Sequence, residues 1–153
     1  MIIKYSKTNS FGTKDSVQTP IRANPSDAGL DVFYTGEDLM LKCGENRLFS
    51  TGLKFEIPHG YMLQVCNRSS MGAKKSLIVG AHIIDSGYDG EVFIDLHNIG
   101  NQSHSIMAGQ KIAQLVMVPI VPFRLLLVKE DDLYSEDVTI SSRGAGALGS
   151  TGK

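Results

Sequence analysis

Apolar residues in this chain come in short runs, cut every few residues by Gly, Pro, Asn or Ser, and helical spacing is scarce. Short segments rich in Val, Ile and Leu between turn residues read as strands, and a long series of them describes an all-β sandwich or barrel. Residues 1–5, 61–66, 111–120 and 123–128 each read as one strand, and 46–57 as a strand pair. A single short helix is expected at 71–77, with Ser69 or Ser70 as its N-cap. At 153 residues and 42% hydrophobic content, the chain has enough apolar material for one real core.

Several function classes are disfavoured at once. A formal net charge of −1 gives no broad basic surface for nucleic acid. No apolar run approaches the ~20 residues of a membrane span, and Met1-Ile2-Ile3-Lys4 lacks the layout of a signal peptide. Cys43 and Cys66 form no CxxC and have no His at ligand spacing. That suits a reduced cytoplasm better than a disulfide framework or a structural zinc site.

The most informative stretch is 79–92, Val-Gly-Ala-His-Ile-Ile-Asp-Ser-Gly-Tyr-Asp-Gly-Glu-Val. It reads as two strands joined by a tight turn, with Gly87 and Gly90 supplying positive φ. After it, Val92, Ile94 and Leu96 alternate with more polar neighbours, the period of a half-buried strand. Asp85 and Tyr88 sit at the bend: either an ordinary solvated turn, or an acid and a ring set for a small ligand.

Four other places leave the same choice open. In 26–33, Leu30 and Val32 share one face and Asp31 takes the other, facing water, a cation or a partner. Arg68, Ser69 and Ser70 precede the short helix, as a plain cap or as an anion site. Ile112, Gln114, Val116 and Val118 share one strand face, so the Gln114 amide satisfies backbone or meets a ligand. Residues 141–153 cannot pack a core. They are a mobile terminus, or a segment whose Arg, hydroxyls and glycines wrap a phosphate. That tail matches GxGxxG from Gly144 to Gly149, but the chain ends four residues later, so neither a dinucleotide fold nor a P-loop follows.

Five stretches, in order and over nearly the whole chain, resemble the trimeric deoxyuridine triphosphatases (dUTPases). Ala28-Gly29-Leu30-Asp31-Val32 is similar to the family's AGxDL, and Arg68-Ser69-Ser70-Met71 to its RSS element. Residues 80–92 are similar to G-x-x-I-D-x-x-Y-x-G-E, and 109–115 to G-x-x-I-A-Q-L. Arg143-Gly144-Ala145-Gly146-Ala147-Leu148-Gly149-Ser150-Thr151-Gly152 is similar to RGxGGFGSTG.

The resemblance implies a jelly-roll (β-clip) subunit, core 1–135 and flexible closing arm 136–153, in a homotrimer whose sites draw on all three chains. It implies hydrolysis of dUTP to dUMP and pyrophosphate with Mg²⁺, in the cytoplasm, or the host cytoplasm for a viral protein. By the same resemblance Asp85 is the general base. Arg68, Ser69, Ser70, Gln114, Arg143, Ser150 and Thr151 bind phosphates. Gly80, Ala81, His82, Ile84, Tyr88 and Leu148 surround uracil and deoxyribose, with the Tyr88 ring excluding a 2′-hydroxyl. Asp31 holds Mg²⁺ through water, with no direct protein ligand expected. The chain departs from the pattern at Leu148 for Phe, Ala147 for Gly, Asn67 for Pro and His82 for Gly. A dCTP deaminase and a nucleotide-controlled regulatory protein on this scaffold are the alternatives.

Overall fold

A computed structural model describes residues 1–8 and 16–134. Two compact units divide the chain, Met1–Pro122 and Phe123–Lys153.

The first unit is built from strands. They are β1 (Lys4–Lys7), β2 (Gly29–Phe33), β3 (Leu39–Leu41), β4 (Asn46–Ser50), β5 (Leu53–Glu56), β6 (Tyr61–Cys66), β7 (Leu77–Val79), β8 (Ile83–Ile84), β9 (Phe93–Asn98), β10 (His104–Ile106) and β11 (Lys111–Pro119). One helix, α1 (Ser69–Lys75), separates β6 from β7. The larger sheet runs β2-β11-β6-β8 and the other runs β4-β9-β7; β1-β5 and β3-β10 form two-stranded ladders, and all pairings are antiparallel. Inward residues of the two larger sheets share one core, with Val32, Phe49, Leu77, Ile94, Leu96 and Ile112 fully buried. Each such side chain stabilises the fold by about 1.5–3 kcal/mol, so this jelly-roll sandwich is held by burial between its sheets.

Several expectations need correction. The first strand begins at Lys4, not Met1. Strands β4 and β5 exist within 46–57 but do not pair with each other: β4 joins β9 and β5 joins β1. The 79–92 stretch is not a hairpin. Its first strand splits at Gly80 into β7, which pairs with β9, and β8, which pairs with β6. The 85–92 segment therefore crosses from one sheet to the other. Gly87 takes φ +90°, whereas Gly90 is not among the residues with positive φ. At Gly90 the constraint is space, since a Cβ would collide with the Tyr88 hydroxyl.

The helix starts and ends two residues earlier than expected. Arg68 is the N-cap, without a side-chain capping bond, and Ser69 and Ser70 lie in the first turn. Ser76 ends it in the left-handed region at φ 53°. In β11 the register slips between Lys111 and Ala113. Ile112 and Ala113 are both fully buried, so Gln114 lies opposite the core-facing Ala113 and Leu115, not on an apolar face with Ile112.

The described part of the second unit, residues 123–134, contains no strand. Phe123, Leu125, Leu126 and Leu127 are strongly exposed, and the segment closes in a single 3₁₀ turn, Glu130–Asp132. β-rich composition supplies side chains for a ladder but no partner for its backbone, and a strand needs both.

Candidate active site

At one end of the larger sheet β11 lies between β2 and β6, and Gln114 pairs in register with Asp31 on one side and Cys66 on the other. Three charged side chains meet there. The Arg68 Nε donates to Asp31 Oδ1 at 2.8 Å, and the Lys111 ammonium sits 2.9 Å from Asp31 Oδ2. All three are largely withdrawn from solvent, with side-chain exposures of 27% for Arg68, 14% for Asp31 and 30% for Lys111. Lys111 Nζ also lies 5.8 Å from the centre of the Phe33 ring, within cation–π range. Two cations share one carboxylate, so the cluster carries one net positive charge and seeks an anion.

Asn67 fastens the turn that presents Arg68. Its carbonyl accepts the Gln114 amide at 2.9 Å, and its side-chain oxygen accepts the Val79 N–H at 2.7 Å. The second bond ties the end of β6 to β7 across the two sheets, a task for which a proline has no side-chain acceptor. Gly29 leaves room for the first. A Cβ there would stand 2.5 Å from Gln114 Oε1 and 3.1 Å from its Cβ. Gly29→Ala is expected to push the amide off Asn67 and lower Tm by about 2–4 °C, the effect of losing ~1 kcal/mol. A thermal melt checks it, and an unchanged Tm with the bond intact would contradict it.

The acid and ring of the 85–90 loop lie elsewhere. Asp85 is exposed, follows buried Ile84, and borders a cavity of about 200 Å³ with Ile83, Tyr88, Glu91, Val92 and Phe93. Its carboxylate has no hydrogen bond or ion pair among the described residues. The loop is fixed at other points: Ser86 donates to the Ile57 carbonyl at 3.0 Å, and the half-exposed Tyr88 donates to the Glu91 carbonyl at 2.8 Å. Glu91 is buried and accepts from Gly52 N–H at 2.9 Å, from Thr8 at 3.1 Å and from the Ser50 hydroxyl.

Gly80, Ala81 and His82 are exposed between β7 and β8. The Gly80 N–H donates to the Asp95 carbonyl at 2.8 Å. The His82 ring folds back on β6, its Nδ1 2.9 Å from the Val65 carbonyl, a bond that needs the proton on Nδ1. Ser69 and Ser70 are exposed beside Arg68. Arg143, Leu148, Ser150 and Thr151 lie outside the described residues.

Asp31, Arg68 and Gln114 are thus brought together, and Asp85 and Tyr88 form a second group. Lys111 and Glu91 were missed as individual residues. For Lys111 the available signal was a cation next to the apolar pair Ile112-Ala113 at the start of a strand. For Glu91 it was an acid next to Val92 at the start of a buried strand.

A jelly roll with a net-cationic, half-buried cluster and, apart from it, a carboxylate with no partner among the described residues has the groups to attract an anion and to accept a proton. The comparisons make the class specific. A family model described as dUTPase matches residues 15–152, and the chain belongs to that family. It is 38% identical over 142 residues to the deoxyuridine 5′-triphosphate nucleotidohydrolase of Clostridium tetani, covering 92% of each chain. Among solved structures it is similar to the Staphylococcus bacteriophage 80alpha dUTPase with dUPNHPP, at TM-score 0.82 and 26% identity over 99% of each chain. Phage dUTPases of that kind control transfer of virulence genes. It is also similar to a mutant dUTPase of phage phi11 of S. aureus, described with a structural Mg(II) ion, at TM-score 0.75 and 25% identity, over 85% of this chain and 98% of the other.

Proposed function

We propose that the protein hydrolyses dUTP to dUMP and pyrophosphate, limiting dUTP and supplying dUMP. The observation that carries the reading is the Asp31–Arg68–Lys111 cluster, a positive site braced by hydrogen bonds and built from three of the family's motifs. Arg68, with Ser69, Ser70 and Gln114 beside it, takes the phosphates. Gly80 and Ala81 meet uracil through backbone, with His82 turned aside and Ile84 beneath. Tyr88 packs on deoxyribose and leaves no space for a 2′-hydroxyl. Asp85 accepts a proton from water as its oxygen attacks the α-phosphorus, and the bond to the bridging oxygen breaks to release pyrophosphate. Arg143, Ser150, Thr151 and Leu148 of the 136–153 arm complete the site over the 1–135 core.

The geometry favours a site shared between copies. Ile84 pairs with Leu63 near the start of β6, while Arg68 follows its far end. At the rise of an extended strand, Asp85 and Arg68 of one chain stand on the order of 15–20 Å apart. That is too far for one substrate phosphate to meet both, and a homotrimer supplies the missing proximity.

No group of three or more His, Cys, Asp or Glu able to hold a metal occurs among the described residues, and both Asp31 oxygens face cations. Asp31 and Gln114 would hold Mg²⁺ through water, with no direct protein ligand. When bound, the ion neutralises phosphate charge. Among the described residues no helix is long and apolar enough to cross a membrane. A cytoplasmic location, or the host cytoplasm for a viral protein, follows from the nucleotide substrate.

Incubation with dUTP, dCTP, dTTP and UTP plus Mg²⁺, following pyrophosphate and ammonia, tests the reading. Pyrophosphate from dUTP alone is expected. Ammonia from dCTP would indicate a deaminase, and no turnover of dUTP would remove the enzyme reading. The likeness to the 80alpha protein favours a second reading, an added regulatory role; a protein partner released by dUTP would support it.

A further inference from the structure

Lys111 opens β11, and Ile112, Ala113 and Leu115 beyond it are all buried. Strict alternation would place Lys111 on the same side as Ala113 and Leu115, inside the core. The register slip between Lys111 and Ala113 prevents this. Ile112 and Ala113 both turn inward, and the residues flanking them, Lys111 and Gln114, share the outer face with Asp31. Re-aiming a side chain in this way is a recurring use of β-bulges.

The charges make the position consequential. Without Lys111, Arg68 and Asp31 would form a neutral pair, and Asp31 Oδ2 would lose its cation. A polyphosphate gains little from a neutral pair and is repelled by a bare carboxylate oxygen, more strongly where water is partly excluded. With Lys111 in place, both Asp31 oxygens are covered. Among the described residues Arg68 spends two N–H donors, Nε on Asp31 and Nη1 on the Lys111 carbonyl at 3.5 Å. The rest of its guanidinium remains available to an anion.

We propose that Lys111, aimed outward by the bulge at Ile112, is a positioning residue that keeps the Asp31–Arg68 pair net positive and Arg68 oriented for the polyphosphate of the substrate. The inference rests on the dUTP reading above, and its test separates the two.

Full-length Lys111→Met and Lys111→Arg are compared with wild type in dUTP kinetics, thermal melts and calorimetric titration with inorganic tripolyphosphate, a probe that needs no turnover. In Lys111→Met, KM for dUTP and Kd for tripolyphosphate are each expected to rise about tenfold, the effect of ~1.4 kcal/mol of lost charge complementarity. The kcat is expected to stay within about twofold, since binding and not the base is affected. Lys111→Arg should restore both constants, because the charge returns. Unchanged KM and Kd in Lys111→Met would overturn the proposal. So would losses that follow a fall in Tm and are not rescued by Arg, or a wild type that binds no tripolyphosphate. Lys111-dependent tripolyphosphate binding without dUTP turnover would leave this inference standing and remove the dUTP reading.

Discussion

Asp85→Asn is expected to lower kcat for dUTP by about a thousandfold, the middle of the range for a positioned general base. The amide keeps the size of the carboxylate and can still orient a water, but it cannot take the water's proton. Because Asp85 is exposed and its carboxylate has no partner among the described residues, no described contact depends on its charge. The loop keeps its shape through other groups: the Tyr88 N–H on the Asp85 carbonyl at 3.2 Å, Ser86 on the Ile57 carbonyl and Tyr88 on the Glu91 carbonyl. Tm should therefore stay within about 2 °C, as for a surface change of under ~0.5 kcal/mol. Single-turnover release of pyrophosphate, run beside a thermal melt, checks both. A variant within tenfold of wild type would mean that another group activates the water. A large fall in Tm would mean that Asp85 supports the loop.

What the sequence made legible follows the reach of local rules. Strand β6 was readable to the residue, because 61–66 are β-rich and bounded by turns. Asp31 on the outward face of β2 followed from period 2 alone. Periodicity reports which face a residue takes, not which strand it pairs with. For that reason 79–92 looked like a hairpin although β7 and β8 belong to different sheets. One inserted residue defeats the rule altogether: the slip before Ala113 moved Gln114 to the opposite face and brought Lys111 out. The five family-like motifs named Arg68, Asp31 and Gln114, but their assembly is a matter of register across β2, β11 and β6. The 123–128 segment is the reverse case, where composition promised a strand and the described chain supplies no ladder for it.

Glu91→Ala is expected to destabilise the protein by about 3 kcal/mol, because it strips acceptors from several donors at once. The Glu91 side chain is buried where 85–92 reaches the turn between β4 and β5. One oxygen receives both the Gly52 N–H and the Ser50 hydroxyl, and the other receives Thr8. Ser50 in turn accepts from the half-buried Thr35 at 3.0 Å, so the carboxylate is the buried end of a chain of hydroxyls. The backbone beside it is fastened to the same turn, with Thr51 donating to the Val92 carbonyl at 2.6 Å and Val92 N–H to Leu53 at 2.8 Å. Alanine leaves Gly52 N–H and Ser50 without their acceptor in a turn that cannot easily shift. Gly52 already sits at φ +66°, with Val17 against it. At roughly 3 °C per kcal/mol for a chain of this size, Tm should fall by about 10 °C at matched protein concentration. Glu91→Gln separates hydrogen bonding from charge. Its amide oxygen can still accept from Gly52 and Ser50, and of these three contacts the Thr8 one must reverse, so the cost should be about 1 kcal/mol. Denaturant melts of the two variants decide the matter. Equal losses would show that the charge, not the acceptor geometry, holds the turn. A stable alanine variant would mean that the backbone bonds at Val92 suffice to anchor the end of the segment that carries Asp85 and Tyr88.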